Sequence, residues 1–466
     1  MKKYDLVVIG GGPAGISAAR TAAMHHKTVV LINREAELGG AGINTGTLPS
    51  KTLRETALAL SGVQARKLTG LDVTLRREAT VADFLQHEQN VKAGFNVTLT
   101  QLTQSLNIDF FPGIAAFENP NTVRVSDHSN GELALQGERI LIATGSSPVR
   151  PAPFPFDQPH IYDSDTILSL DQLPKSMAVA GAGVIGSEYA CIFAELGVEV
   201  HLIDGRDTLL PFLDAEVSRA LAAAMEANGI RFHRNERIQE CTVTGPNQIK
   251  LKLSSGREQP VEAVLVAAGR KSNTAELNLA AAGVPVGERG LVQVDEHYRT
   301  FVPHIYAAGD VIGFPALAST GLEQGYRAVC HAFSLEARDG LPSLLPTGIF
   351  TIPEASMVGE TEESLKKKGV DYVVGRAPYA NSVRGRIIGD TNGFLKLLFR
   401  RSDLKLLGVH VLGEHATELV HLGLMAMLAG GTARTFDEAC FNIPTLSELY
   451  KFASRTVLLE QKAKGG

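Results

Sequence analysis

Two glycine-rich turns constrain the fold of this 466-residue chain more than any other feature. The first turn, residues 10–15, has the pattern Gly-x-Gly-x-x-Gly and follows a strand pattern at 4–9 that ends in the apolar run 6–9. An alanine-rich segment at 16–25 and a second apolar run at 28–32 come after it. The order strand, glycine turn, helix, strand is that of a βαβ unit, and we predict one here.

The same plan returns at residues 181–186. An apolar run at 177–180 precedes this turn, a segment typical of a helix extends to Leu196, and a strand pattern follows at 199–203. In such turns the first glycine permits the tight bend, the second lets the backbone approach a pyrophosphate, and the third allows close packing. The helix N-terminus then presents N–H groups to the phosphates. Because both copies stand in a full βαβ context, we expect two dinucleotide sites.

The composition excludes several other classes of protein. Lys and Arg total 45 against 50 Asp and Glu, so the net charge of −5 offers no basic field to nucleic acid or an anionic membrane. No apolar run approaches the ~20 residues that cross a bilayer, and the run at 6–9 is too short for a secretory signal. The four cysteines are widely separated, which excludes a zinc knuckle or a dense disulfide framework. We therefore expect a cytoplasmic protein without nucleic-acid or membrane partners.

Further motifs follow the first turn in order along the chain: Gly39-Gly40, Leu48-Pro49-Ser50-Lys51, Gly309-Asp310 and Ile443-Pro444-Thr445-Leu446-Ser447-Glu448. With these motifs the chain resembles the flavoprotein disulfide reductases over essentially its whole length. The resemblance implies an α/β fold with two Rossmann-like βαβ domains, for FAD and NAD(P), and a C-terminal α+β dimerisation domain. It implies a homodimer or higher homo-oligomer, with domains at 1–147 (FAD, first part), 148–270 (NAD(P)), 271–345 (FAD/central, second part) and 346–466 (dimerisation).

The resemblance also implies the ligands and the residues that bind them. The first turn is expected to bind FAD, and the second is expected to bind the nicotinamide dinucleotides NAD(H) and NADP(H). The cofactor-binding residues that it implies are Gly10, Gly12, Gly15, Asn33, Arg34, Gly40, Lys51, Thr144, Gly145, Gly181, Gly183, Gly186, Glu188, Asp204, Arg206, Gly269, Gly309 and Asp310. A strand pattern at 301–308 is expected to lead into the last two.

The chain departs from this family where the family carries out thiol chemistry. The family has two cysteines, spaced Cys-x-x-x-x-Cys, at positions that are Gly42 and Thr47 here. The family's catalytic His, immediately before the C-terminal proline, is Ile443 here. Thiolate attack and proton relay need groups that are absent. We therefore expect no disulfide, lipoamide, glutathione or mercuric reductase activity by that mechanism.

One branch of the family, the soluble pyridine nucleotide transhydrogenases, is more similar to the chain at 161–165, 309–313, 346–354 and 441–442, and it shares Thr47. That branch commonly keeps one cysteine where Gly42 stands. With two nucleotide sites and no dithiol, the flavin is the only redox centre. The expected function is FAD-dependent ping-pong hydride transfer between NADPH and NAD+. The alternatives are an NAD(P)H:quinone or dye reductase, and a catalytically silent flavoprotein scaffold or redox sensor.

Lys51, Glu188 and Thr47 are the expected catalytic residues. In the family this Lys lies beside the reactive flavin nitrogen, and the Glu pairs with it. An ammonium group stabilises negative charge on reduced flavin, and the carboxylate keeps the ammonium protonated in a desolvated pocket. The alternative is that the two residues form a buried ion pair with a structural role only.

The residue that ends the second strand of each βαβ unit is expected to face an adenosine ribose. In the first unit this is Asn33, whose carbonyl oxygen can accept a hydrogen bond. In the second unit Asp204 is expected to accept from the 2′-hydroxyl of NAD(H), and Arg206 to meet the 2′-phosphate of NADP(H). Alternatively, Arg206 pairs with Asp204 or Asp207 in solvent.

Two further patterns have structural interpretations. Thr445 to Glu448 is typical of a capping box in which Thr445 is the N-cap and Glu448 reaches back to its N–H. We prefer this to a catalytic role of Glu448, because the His that it would orient is Ile443. His415, Glu418 and His421 drift off one helix face, and we expect no metal site.

Overall fold

The computed structural model describes residues 2–62, 80–126, 131–336 and 341–465. The chain divides into two compact units. Unit 1 comprises Met1–Thr52, Leu85–Val149 and Gly269–Leu341, and unit 2 comprises Leu53–Phe84, Arg150–Ala268 and Pro342–Gly466. No helix in the described part of the chain is long and apolar enough to span a membrane.

Unit 1 is built on one large sheet, and its strands are β1 (Lys2–Ile9), β2 (Val29–Asn33), β3 (Asp109–Pro112), β4 (Ile114–Asn119), β5 (Thr122–Ser126), β6 (Glu132–Ile142) and β17 (Ile305–Ala307). The order β3-β2-β1-β6-β17 is parallel, and β4 and β5 continue antiparallel from the other half of β6. A separate antiparallel pair joins β7 (Ser146–Pro148) to β16 (Arg270–Ser272). The helices that begin in this unit are α1 (Pro13–Met24), α2 (Gly40–Asn44), α3 (Thr47–Ser61) and α7 (Ala318–Ala332).

Strand β1 lies inside this sheet and is covered on both faces. Val7 and Ile9 belong to one buried apolar cluster, and Leu6 and Val8 belong to another. A strand with two buried faces needs a continuous apolar run rather than an alternating one. This is why residues 6–9, directly before the first glycine turn, are all apolar.

Unit 2 contains a parallel sheet in the order β11-β10-β9-β15-β8, formed by β8 (Ile161–Asp163), β9 (Ser176–Ala180), β10 (Glu199–Asp204), β11 (Arg231–Arg234) and β15 (Ala263–Val266). A three-stranded antiparallel sheet consists of β12 (Ile238–Gly245), β13 (Gln248–Leu253) and β14 (Glu258–Val261). A five-stranded antiparallel sheet in the order β18-β19-β22-β21-β20 consists of β18 (Thr347–Ile349), β19 (Ala355–Gly359), β20 (Tyr372–Pro378), β21 (Phe394–Arg400) and β22 (Leu406–Leu412).

The helices that lie within the last two stretches of unit 2 are α5 (Val184–Glu195), α6 (Ala215–Ala227), α8 (Glu362–Lys367), α9 (Val383–Ile387), α10 (Ala416–Leu428), α11 (Ala433–Glu438) and α12 (Leu449–Gly465). One more helix, α4 (Val81–Ser105), begins in unit 2 and continues into unit 1. The α/β fold class predicted from the sequence is confirmed.

Two local predictions are wrong. The strand expected at 301–308 is only Ile305–Ala307, because Pro303 lies in a turn that is closed by a hydrogen bond from the Ile305 N–H to the Val302 carbonyl. The capping box at Thr445 does not form, since its side chain caps nothing. Glu448 is buried and instead accepts a hydrogen bond from the Val383 N–H at 3.3 Å.

Candidate nucleotide sites

The first glycine turn of unit 1 has a backbone that only glycine permits. Gly10 has φ +113°, and a Cβ there would lie 2.2 Å from the carbonyl oxygen of Ala143. A Cβ on Gly15 would lie 1.8 Å from the carbonyl oxygen of Gly10. The turn therefore packs tightly against the end of β6 and against the first turn of α1, as the motif predicts.

The N-terminus of α1 is left open toward a ligand. Its N-cap is Gly12, and no side chain caps it. Gly40 has φ +53°, and a Cβ on it would lie 2.8 Å from the Cα of Gly12. The two glycines thus keep side chains away from the uncapped N–H groups, which is the arrangement that a pyrophosphate needs.

Asn33, at the end of β2, closes this turn with its carboxamide. Its Oδ1 accepts a hydrogen bond from the Gly11 N–H at 2.9 Å. Its Nδ2 donates to the carbonyls of Glu35 at 2.8 Å and Glu37 at 2.9 Å. A ribose hydroxyl could use only the second lone pair of Oδ1. The predicted contact with ribose stays a prediction, and the clamp on the glycine turn is a role that sequence analysis missed.

Other predicted FAD-binding residues of unit 1 lie at the ends of the parallel strands. The buried Oγ1 of Thr144 has no hydrogen-bond partner within the described part of the chain. Asp310 accepts from the Ser146 hydroxyl at 2.7 Å, and that hydroxyl accepts from Arg270 Nε at 2.8 Å. An uncapped helix and an unsatisfied buried hydroxyl are features that fit a bound dinucleotide such as FAD. The side chain of Arg34 is engaged in an exposed ion pair with Glu276.

Thr47 and Lys51 lie on the first turns of α3. Thr47 begins the helix, and Lys51 Nζ lies 3.2 Å from the hydroxyl of the buried Ser50. Gly42 lies on α2, and a Cβ there would be 2.8 Å from Cγ of Pro13. Because Cβ contacts below 3.0 Å are not tolerated, a cysteine at position 42 needs the Pro13 ring to move.

The second glycine turn, in unit 2, repeats the geometry of the first. Gly181 has φ +106°, and a Cβ on it would lie 2.6 Å from the carbonyl oxygen of Ala267. A Cβ on Gly186 would lie 1.9 Å from the carbonyl oxygen of Gly181. Gly183 is the uncapped N-cap of α5, and a Cβ there would meet nothing within 4 Å. The second βαβ unit therefore also presents an open helix N-terminus.

Asp204, at the end of β10, accepts four hydrogen bonds. One comes from the Ala182 N–H in the glycine turn, at 2.6 Å. The other three come from Arg206: its backbone N–H at 2.8 Å, Nε at 2.9 Å and Nη2 at 2.7 Å. Burial alone would raise the pKa of this carboxyl, but the hydrogen bonds from Arg206 and Ala182 hold it below its usual value. The predicted alternative, in which Arg206 pairs with Asp204, is the arrangement that the structure shows.

Glu188 is buried on the first turns of α5. Its Oε1 accepts a hydrogen bond from the Phe350 N–H at 3.0 Å. Arg54 holds the next part of the same segment through the Thr351 carbonyl at 3.2 Å and the carboxylate of Glu354 at 3.2 Å. Glu188 therefore helps to fix the segment that precedes β19. Its predicted pairing with Lys51 joins residues of different units and stays a prediction.

Comparisons with known proteins place the chain in a family. Residues 4–325 match the family model described as pyridine nucleotide-disulphide oxidoreductase. Residues 345–453 match the dimerisation domain of the same family. The chain belongs to the pyridine nucleotide-disulphide oxidoreductase family, and the resemblance noted from its motifs is confirmed.

Relatives of known name cover the full chain. A protein of Mycobacterium bovis named soluble pyridine nucleotide transhydrogenase is 44% identical over 465 residues, which cover 99% of both chains. A protein of the same name from Chromohalobacter salexigens is 42% identical over 460 residues and 98% of both chains.

Solved structures show the same fold. The copper(II) complex of the HOCl-induced flavoprotein disulfide reductase RclA from Escherichia coli has a TM-score of 0.90 at 30% identity, with 98% of this chain and 100% of that chain covered. LpdA from Mycobacterium tuberculosis has a TM-score of 0.89 at 26% identity and the same coverage.

Proposed function

We propose that this protein is an FAD-dependent enzyme that transfers a hydride between NADPH and NAD+. One observation carries the proposal: both glycine turns are complete, whereas the positions of the family's redox cysteines and catalytic His are Gly42, Thr47 and Ile443. Such a chain keeps two nucleotide sites without thiol chemistry. The name that its full-length relatives bear describes the same reaction.

The residues of unit 1 bind and orient FAD in this proposal. The uncapped N–H groups of α1 would hold the pyrophosphate, while Asn33 keeps the glycine turn closed. Thr144 and Asp310 offer a hydroxyl and a carboxylate to the rest of the cofactor. When bound, FAD supplies a two-electron centre that accepts a hydride from one nicotinamide and returns it to another.

The second turn binds the nicotinamide dinucleotides, one after the other. Asp204 is a hydrogen-bond acceptor for the 2′-hydroxyl of NAD(H), and Arg206 is a cation for the 2′-phosphate of NADP(H). Because the two side chains neutralise each other, neither nucleotide meets an uncompensated charge there. This compromise supports an enzyme that must use both. Lys51 and Glu188 remain the proposed catalytic pair. Thr47, at a position where the family has a cysteine, is the third proposed catalytic residue.

We place the active form in a homodimer that forms through residues 346–466. Six large apolar side chains are exposed in the described part of this region: Val383, Ile387, Met425, Leu428, Ile443 and Leu459. Contiguous exposed apolar surface marks protein interfaces, and residues 345–453 match the dimerisation domain of the family. Sedimentation of the purified protein at several concentrations measures the oligomeric state directly, and a monomer throughout would contradict this part of the proposal.

The function is tested by following the electrons. The purified holoenzyme is reduced anaerobically with NADPH and then offered thio-NAD+, a quinone or air, while absorbance reports reoxidation. Fast reoxidation by thio-NAD+, with thio-NADH formed in equal amount, is the expected result. Reoxidation by the quinone alone would assign the protein as a quinone reductase. No reduction at all in fully flavinated protein would indicate a silent flavoprotein.

A further inference from the structure

Arg237 lies across the loop in which Asp204 and Arg206 stand. A Cβ placed on Gly205, the residue between those two, would lie 2.9 Å from Nε of Arg237 and 3.4 Å from its Cγ. The arginine side chain therefore runs over the one position of this loop that has no side chain of its own. A glycine at 205 is what leaves room for it.

Main-chain hydrogen bonds hold the segment before Arg237 beside this loop. The Glu236 N–H donates to the carbonyl of Asp204 at 3.1 Å, and the Asn235 N–H donates to the carbonyl of Arg206 at 3.4 Å. The Arg237 N–H donates to the hydroxyl of Ser254 at 3.1 Å, and the Ser254 N–H donates to the Arg237 carbonyl at 2.8 Å. The backbone of Arg237 is thus tied to Ser254 after the end of β13, and the two residues before it are tied to the end of β10 and the loop that follows it.

Arg237 also differs from two nearby arginines, Arg206 and Arg234, in its ion pairing. Arg206 is paired with Asp204, and Arg234 is paired with Glu226 at 2.7 Å. Within the described residues, Arg237 has no acidic partner and its side chain makes no hydrogen bond. It is exposed, so its guanidinium is available to a ligand.

A phosphate monoester at this loop needs more positive charge than Arg206 supplies, because Asp204 already cancels that charge. Guanidinium groups bind phosphate oxygens in a bidentate manner and stay protonated. We infer that Arg237 is a specificity-determining residue that binds the 2′-phosphate of NADP(H) together with Arg206. The inference rests on the proposed function in one respect, that the second turn binds NADP(H).

The test uses two small ligands that differ only in the presence of a 2′-phosphate. Adenosine 2′,5′-bisphosphate and AMP are titrated calorimetrically into the holoenzyme and its variants. We expect Arg237→Ala to weaken binding of the bisphosphate about tenfold, equivalent to about 1.4 kcal/mol, and to leave AMP binding unchanged. Arg231→Ala is the matched control, since it removes an exposed arginine at the start of β11, the strand that precedes Arg237, where Arg231 pairs with Glu199.

A second variant moves Arg237 without removing it. Gly205 does not have a positive φ, and the three atoms nearest to an added Cβ all belong to the flexible Arg237 side chain. Gly205→Ala should therefore fold normally and displace the guanidinium. We expect Gly205→Ala to weaken bisphosphate binding, as Arg237→Ala does. Arg237→Lys should bind the bisphosphate more tightly than Arg237→Ala and less tightly than the wild type.

The outcomes separate this inference from the proposed function. Equal bisphosphate affinity of Arg237→Ala and wild type, or equal losses in Arg237→Ala and Arg231→Ala, would overturn the inference and leave the transhydrogenase proposal standing. Selective loss of the bisphosphate in Arg237→Ala, in a protein that transfers no hydride to thio-NAD+, would support the inference and overturn the proposed function.

Discussion

The guanidinium of Arg206 forms a bidentate pair with the carboxylate of Asp204, with Nε 2.9 Å from Oδ1 and Nη2 2.7 Å from Oδ2. The same carboxylate accepts the Ala182 N–H of the second glycine turn. Asp204 thus has two roles, one in holding the turn and one in balancing the charge of Arg206. Asn33 has the first of these roles in the other βαβ unit without any charge. Replacing Asp204 by asparagine should therefore remove the charge and keep the hydrogen bond to the turn.

The first prediction concerns the choice between NADH and NADPH. Asp204→Asn keeps an acceptor for the Ala182 N–H but releases Arg206, so we expect the ratio of kcat/KM for NADPH to that for NADH to rise about tenfold. Arg206→Ala leaves a negative charge beside the 2′-phosphate, so the same ratio should fall by about tenfold or more. Equal losses for both nucleotides in each variant would show that this pair does not discriminate.

The second prediction concerns Lys51. We expect Lys51→Met to bind FAD normally and to slow reduction of the flavin by NADPH about tenfold or more, the scale of losing one to a few kcal/mol of transition-state stabilisation. Stopped-flow absorbance at the flavin band measures the rate, and the FAD content of the purified variant is the control. An unchanged rate in fully flavinated protein would make Lys51 a structural residue.

The third prediction concerns thiol chemistry. We expect no NADPH-dependent reduction of lipoamide, oxidised glutathione or mercuric ion, because positions 42, 47 and 443 lack the groups involved. The double variant Gly42→Cys, Thr47→Cys should remain a poor reductase, since Ile443 supplies no base. It should also be less stable than Thr47→Cys alone, because a side chain at position 42 meets the ring of Pro13 at 2.8 Å. Turnover of any of these substrates by the wild type would overturn the assignment.

The fourth prediction concerns a buried lysine of unit 2. Lys396 Nζ, on β21, lies 2.8 Å from Asp214, 3.1 Å from Glu216 and 2.5 Å from Glu362. These three carboxylates are close enough together to hold a metal ion, but the ammonium lies among them. Lys396→Met removes the cation that pairs with the buried Asp214, whereas Glu216 keeps its pair with Arg376 and Glu362 keeps its pair with Lys366. The variant should destabilise the fold by about 3–5 kcal/mol, measured as a lower thermal midpoint. Lys252→Met, which breaks an exposed pair with Glu240, should change the midpoint little.

The cost of Lys396→Met should depend on pH. Burial opposes these charges, yet hydrogen bonds with Lys396 hold the pKa values of Asp214 and Glu362 below their usual range and raise the pKa of Lys396. The carboxylates contribute stability that is present above their unfolded pKa values and is lost as the pH falls through the folded ones. The lysine contribution is present below its unfolded pKa and is lost as the pH rises through the folded one. The difference in midpoint between wild type and variant should therefore be largest between about pH 5 and 10 and shrink in acid.

Local requirements of the backbone made several features predictable from the sequence. At Gly10 and Gly181 a side chain would collide with a neighbouring strand, and at Gly15 and Gly186 it would collide with the turn itself. Such collisions restrict the residue type wherever the turn occurs, so the motif alone predicts both βαβ units. The departures at 42, 47 and 443 are likewise visible in the sequence, and they exclude the family's thiol mechanism.

What the sequence by itself determined is therefore the pair of glycine turns, the βαβ unit around each of them and the absence of the family's redox cysteines. Only the tertiary structure decided which residue each of these side chains contacts: Asn33 contacts Gly11, Asp204 contacts Ala182, Arg237 contacts Gly205, and Lys396 contacts Asp214. Asn33 and Gly11, like Asp204 and Ala182, are 22 residues apart in the two βαβ units, and the partners in the other two pairs are farther apart along the chain. Their meeting depends on how strands and loops pack, because a hydrogen bond forms only where the folded backbone brings a donor within about 3 Å of an acceptor.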